Sequence, residues 1–138
     1  MARLVRFGVS IDSELIRKFD RYISERNYSN RSEALRDLIR NNLIRREWAE
    51  TGEVAGGISI VYDHHRRELV NKLLDIQHDY HEVIISTQHV HLSHEHCLEI
   101  IIVKGASKKV QALTNKLRSL KGVMHCDIAR ATTAEKLK

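Results

Sequence analysis

His89 and His91 open the run HVHLSHEHC, which ends at Cys97. Two histidines two residues apart on a strand project from the same face. Cys97 follows across a tight turn, so on a paired second strand its thiol comes within reach of both rings. Two imidazoles and a thiolate suit a soft or borderline transition metal. An H-x-H alone reads as a solvated turn; the thiol six residues on from His91, and His78 upstream, turn the reading toward metal. The chain has 9 histidines, and all but His125 fall between His64 and His96. His94 and His96 lie in or beside the turn and read as secondary, adventitious ligands. His64, His65 and His81 sit at expected element ends, where solvated histidines are common. Cys126 reads as a small buried apolar residue.

Catalysis finds little support. The sequence has no H-E-x-x-H, no G-x-S-x-G and no glycine-rich phosphate loop. No carboxylate stands where a metal-bound water needs a base, so a metallohydrolase is the weakest reading. With 138 residues, 42% of them apolar, the chain has material for one ordinary domain or two small ones. No apolar run approaches the roughly 20 residues of a membrane span, and the start MARLVRFGVS lacks a signal-peptide pattern. Two cysteines make no disulfide framework. These features predict a cytoplasmic protein with no membrane partner. The net charge of +5 leans only modestly toward polyanions.

The elements that must hold these residues follow from hydrophobic period. In LVRFGVSI, Val5, Phe7, Val9 and Ile11 alternate with Leu4, Arg6, Gly8 and Ser10, as in a half-buried strand. Asp12 caps a helix with Leu15, Ile16, Phe19, Tyr22 and Ile23 on one stripe. Asn30-Arg31-Ser32-Glu33 reads as a capping box for a second helix, which carries Ala34, Leu35, Leu38, Ile39 and Leu43 inward and runs to about Trp48. One strand cannot satisfy its own backbone groups, so this unit is expected to pair with a second copy. Glu50–Glu53 is the expected hinge, with Gly56-Gly57 just beyond it, giving domains 1–50 and 51–138. The second domain reads as strand (57–63), helix (65–78), strand (82–91), strand (96–104), helix (107–120) and strand (123–131). That βαββαβ order is the split, ferredoxin-like arrangement of an α+β fold.

A strand paired with its two-fold mate makes a ribbon that fits the major groove, with Arg6, Gly8 and Ser10 outward. The first segment resembles the ribbon-helix-helix family of dimeric transcription factors. That resemblance implies base reading by the ribbon and phosphate anchoring by Asn30, Arg31 and Ser32. With NRSEALRD, H-x-H-x5-C and CLEI in one chain, nearly the whole sequence resembles the nickel-responsive repressor family, NikR. The resemblance implies an intertwined ribbon-helix-helix dimer followed by an ACT-type domain. It also implies a homotetramer on operator DNA, and one Ni(II) per subunit held by His78, His89, His91 and Cys97. It further implies a second cation, potassium, between the domains at Glu33 and Asp37. Gly8 departs from the bulkier polar residue of the family's ribbon, so base preference does not carry over.

Donor chemistry alone leaves zinc, copper(II) and nickel(II) open; nickel rests on the resemblance. Chain geometry bears on His78. From Glu82 to His89 a strand covers roughly 23 Å, so His78 and the His89/His91 pair stand near opposite ends of it. His78 is therefore expected from a neighbouring subunit. The alternative reading is a cytoplasmic nickel or copper storage protein whose N-terminal unit only dimerises it.

Overall fold

The computed structural model describes residues 2–50 and 52–137. They form two compact units, one reaching to Leu43 and the other spanning Ile44–Lys136.

The first unit carries helix α1 (Ser13–Glu25) and most of α2 (Arg31–Ala49). The Asp12 carboxylate caps α1 by accepting from the amides of Glu14 at 2.8 Å and Leu15 at 3.3 Å. Asn27, in the left-handed region at φ 60°, follows the helix end. The box before α2 forms with a shift of one residue. Asn30 Oδ1 accepts from the Glu33 amide at 3.0 Å, while the Glu33 carboxylate accepts from the Ser29 amide at 3.3 Å.

Residues 2–12 form no strand within this chain, although their apolar alternation reads as one. Phe7 and Val9 are 72% and 61% exposed, and Leu38, Ile39 and Leu43 of α2 are also exposed. Of the expected inward residues of α2, Ala34 alone is fully buried. The physical reason is the one that predicts pairing. A β-ladder needs a second strand, and α2, whose apolar residues are spread around the helix, cannot bury them all on the single stripe of α1.

The second unit contains β1 (Glu53–Asp63), α3 (Arg67–Asp79), β2 (Ile84–His91), β3 (His96–Ala106), α4 (Ser107–Ser119) and β4 (Val123–Arg130). A single 3₁₀ turn, His81–Val83, lies between α3 and β2. The sheet order is β2-β3-β1-β4, and every neighbouring pair is antiparallel. This is the expected split βαββαβ topology. Val54, Ile58, Ile60 and Tyr62 of β1 are buried with Ile101 and Val103 of β3, at period two. They pack with Leu69 and Leu73 of α3 and Val110, Leu113 and Leu117 of α4, at helical spacing. Gly122, at φ +100°, takes the chain from α4 into β4 in a conformation that a side chain would strain.

The units part inside α2, ahead of the Glu50–Glu53 stretch, because the last turn of that helix is built into the second unit. Trp48 is 2% exposed, and its indole N–H donates to the Ala131 carbonyl at 2.9 Å. Its own carbonyl accepts from Ser107 Oγ at 2.7 Å and Gln111 Nε2 at 2.9 Å. The first strand starts at Glu53 rather than at the expected Gly57, so Gly56 and Gly57 both lie within β1.

Gly56 is where backbone and ring approach most closely. A Cβ there would stand 2.7 Å from the Ala129 carbonyl oxygen and 3.2 Å from the Trp48 ring. Gly56→Ala is expected to destabilise the second unit by about 1–3 kcal/mol through overpacking, measured by urea unfolding. Gly57→Ala, whose Cβ meets nothing closer than 3.8 Å, should cost less.

Candidate metal centre

The β-ladder brings the sequence-predicted donors together. β3 pairs with β1 on one side and β2 on the other, so Tyr62, Cys97 and His91 lie in one cross-strand row. His89 lies opposite Glu99 in the next row on the same face. His89 Nε2 stands 2.7 Å from Cys97 Sγ. The edge of the His89 ring meets Tyr62, with centroids 6.1 Å apart at 82°. Cys97 is fully buried, whereas β2 is the sheet edge and His89 and His91 are exposed there.

Beneath this row lies a buried polar chain. Glu99, 7% exposed, accepts from the Tyr62 hydroxyl at 3.0 Å and from Gln77 Nε2 at 2.9 Å. Both donors are neutral, so neither partner compensates the carboxylate charge. Burial, and then the negative Glu99, push the Cys97 thiol above its ordinary range. Burial and Glu99 likewise raise the Tyr62 phenol. A site that raises a thiol pKa beside an uncompensated carboxylate favours a divalent cation. The donor set fits such an ion: one thiol, two imidazoles and a negative surround.

His78 does not join this group within the chain. It lies exposed in the last turn of α3, its ring 6.0 Å from that of His81. The residue before it, Gln77, is the one that reaches Glu99. Instead the structure adds His64, a residue that sequence position alone marks as solvated. Among the described residues, the group of three donors close enough to share an ion is His64, His91 and Cys97, with ligand atoms within 4.8 Å of one another. The missed signal was register. His64 directly follows Asp63, which pairs with His96, and Cys97 is the next residue.

The expected DNA-facing residues Arg6, Gly8 and Ser10 lie in the exposed segment before α1. A Cβ at Gly8 would meet nothing within 4 Å. Asn30, Arg31 and Ser32 stand at the start of α2. The Asn30 side chain is used as a cap, and the Arg31 guanidinium makes two 2.9 Å hydrogen bonds to Asp20. That fork holds the Asp20 carboxyl below its ordinary range. The Glu33 and Asp37 carboxylates are engaged too. Asp37 accepts from the Tyr28 hydroxyl at 2.7 Å and lies 3.9 Å from Arg40; Glu33 accepts from the Ser29 amide. The bond to Asp37 pushes the Tyr28 phenol up to about 12. No helix among the described residues is long and apolar enough to cross a membrane.

Comparison with known proteins gives two matches in tandem. Residues 5–46 match the ribbon-helix-helix protein, CopG family, and residues 55–131 match the NikR C-terminal nickel-binding domain. A nickel-responsive regulator of Syntrophus aciditrophicus is 58% identical over 91% of both chains. One of Chlorobaculum parvum is 59% identical over 94% of this chain and 96% of its own. One of Nitratidesulfovibrio vulgaris is 50% identical over 99% of each. Among solved structures, an uncharacterized protein of Thermotoga maritima aligns with a TM-score of 0.53 at 17% identity. It covers 58% of this chain and 99% of its own, a likeness of fold. With a DNA-binding family model and a nickel-binding family model in one chain, and relatives matched end to end, the chain belongs to the nickel-responsive regulator family, NikR, a family of transcription regulators rather than enzymes.

Proposed function

We propose that the protein is a cytoplasmic, nickel-dependent repressor. In this reading it senses Ni(II) at an inter-subunit site of His89, His91 and Cys97 from one chain and His78 from another. The observation that carries the reading is the meeting of His89, His91 and Cys97 on one face at the open edge of β2, while His78 stands apart from them. An open edge presents unpaired amides and carbonyls to a second strand. An antiparallel second copy of β2 would reverse its direction and bring the far end of the partner's strand, with His78, toward the first chain's His89. Ni(II), one per subunit, would supply the positive charge that the buried thiolate and Glu99 lack. The exposed Val90 and Ile102 give such an assembly apolar surface to cover.

The N-terminal segment completes the reading. Exposed Val5, Phe7, Val9 and Ile11 are the inward face of a ribbon made with a second chain, and Arg6, Gly8 and Ser10 are its DNA face. With the Arg31 guanidinium held by Asp20, phosphate anchoring at α2 falls to the helix-start amides of Arg31 and Ser32. Asn30 positions that start as its cap. Two such dimers on a tetrameric metal core would bind operator DNA, and metal favours the DNA-binding arrangement only through a higher affinity for it. Glu33 and Asp37 would hold the second cation, potassium. The storage reading uses the ribbon and helices only to join two chains and leaves the outward Arg6 and Ser10 without a role.

Three outcomes test these assignments. Arg6→Ala is expected to cost roughly 1–3 kcal/mol at the specific operator, with little change on random DNA. Gel shifts with and without nickel measure it, and equal operator binding by both proteins would remove the ribbon assignment.

The raised Cys97 thiol is protonated at neutral pH, and coordination requires the thiolate. Nickel addition in weak buffer should therefore release that proton, and affinity should fall as pH is lowered. Cys97→Ala should lose both the proton and the sulfur-to-nickel charge-transfer band; a band that persists would place the sulfur outside the site.

For His78, two inactive variants, His78→Ala and His89→Ala, are mixed under proven subunit exchange. A bridging site predicts recovery of some intact nickel sites. No recovery would assign all four ligands to one chain.

A further inference from the structure

His64 stands beside the centre and the bridging set does not use it. Its amide donates to the Glu95 carbonyl at 3.1 Å, which fastens the end of β1 to the β2–β3 turn. Its ring Nε2 donates to the His94 carbonyl at 2.8 Å. A ring nitrogen that donates to a carbonyl leaves the other, here Nδ1, with the lone pair that a metal needs. The same arrangement fixes the ring's orientation, as the outer hydrogen bond does for metal-bound imidazoles in general. The His64 and His91 rings meet nearly at right angles, 75°, with centroids 4.8 Å apart.

Spacing separates two coordination shapes. With metal–nitrogen and metal–sulfur bonds of about 2.0 and 2.3 Å, a right angle at the metal sets nitrogen and sulfur roughly 3.1 Å apart, and a tetrahedral angle roughly 3.6 Å. The hydrogen-bond contact of His89 Nε2 with Cys97 Sγ, 2.7 Å, is shorter than either and nearer the right-angled value. The His64, His91 and Cys97 donors all lie within 4.8 Å of one another, and drawing in the exposed His91 ring closes this triangle toward tetrahedral edges while His64 keeps its bond to the His94 carbonyl. His91 is exposed, so its ring is not locked by packing.

We propose that His64, His91 and Cys97 form a second metal position, contained within one subunit, that takes divalent ions preferring a tetrahedron, such as zinc. It shares His91 and Cys97 with the bridging set, so one chain fills one position or the other. An ion held by His64 makes no bond to a neighbouring subunit and so does not join two chains. His64 is then a specificity residue that diverts tetrahedral ions from the bridging set. The site rests on this chain's own geometry; its effect on selectivity rests on the bridging reading of His78.

The test uses Co(II) as probe on the full chain carrying His78→Ala and His89→Ala, which cannot form the bridging set. The expected result is one Co(II) per chain, with the intense visible bands of tetrahedral cobalt and a sulfur charge-transfer band. Adding His64→Gln, which keeps a donor for the His94 carbonyl, should weaken cobalt binding at least about tenfold and remove the tetrahedral bands. His65→Gln, in the adjacent ring 4.3 Å from His64, should change neither. Circular dichroism on each variant checks that the fold is kept. Absence of cobalt binding in the folded double variant, or binding indifferent to His64→Gln, overturns the proposal. In the otherwise unaltered protein, His64→Gln should weaken zinc binding and spare nickel. Loss of nickel in that variant would put His64 in the nickel set and also overturn it. Nickel binding that survives His78→Ala would instead strike the bridging reading and leave the His64 position standing.

Discussion

The register between β2 and β3 is the constraint on which the metal centre depends. With His91 opposite Cys97 and His89 opposite Glu99, two imidazoles at the sheet edge share a face with a thiol inside the core. A slip of one residue would turn both rings to the other face of the sheet. Register is enforced from the far side of β3, where Tyr62 lies opposite Cys97 and its hydroxyl reaches Glu99. The same hydrogen-bonded pair holds Gln77 of α3. A single buried carboxylate thus ties the strand carrying the thiol to the helix whose last turn carries His78.

The N-terminal unit lives under the opposite condition. Its helices are capped and closed by local hydrogen bonds, yet residues 2–11 before them form no ladder within the chain and leave Val5, Phe7 and Val9 mostly exposed. A ladder for that backbone needs a second strand, which a second copy can supply. The local signals specify the elements, and assembly specifies their burial. The two halves of the protein therefore derive stability from different sources, one from its own core and one from association, whose strength depends on protein concentration.

How much of this was legible in the sequence follows from the range of the interactions involved. The helix starts at Asp12 and Asn30, the turn at Gly122 and the alternation of β1 and β3 are local, and reading them yields the βαββαβ order and the pairing of His89 and His91 with Cys97. The role of His64 was not legible, because it depends on strands distant in sequence meeting at Asp63 and His96. Gly56 read as lying between the hinge and a first strand starting at Gly57, whereas β1 starts at Glu53; the reason for a glycine there is the Trp48 ring and the Ala129 carbonyl lying where a side chain would go. The end of α2 was placed correctly as an element. Its membership in the second unit depends on Ser107, Gln111 and Ala131, which no local window contains.

The clasp on the last turn of α2 has a consequence for the order of synthesis. The indole of Trp48 donates to Ala131, and the Glu47 carboxylate accepts from Thr132 at 2.9 Å. These partners lie 83 and 85 residues further along the chain and leave the ribosome long after that helix, and β4, which fills the β1 edge of the sheet, leaves just before them. While translation proceeds at roughly 5–20 residues per second, the first unit is complete well before anything can fasten the end of its second helix. Nascent N-terminal units on neighbouring ribosomes are thus available to each other while the metal-binding half is still being made. The joint therefore closes late, and a chain truncated before Ala131 leaves the Trp48 indole and the Glu47 carboxylate without these two partners.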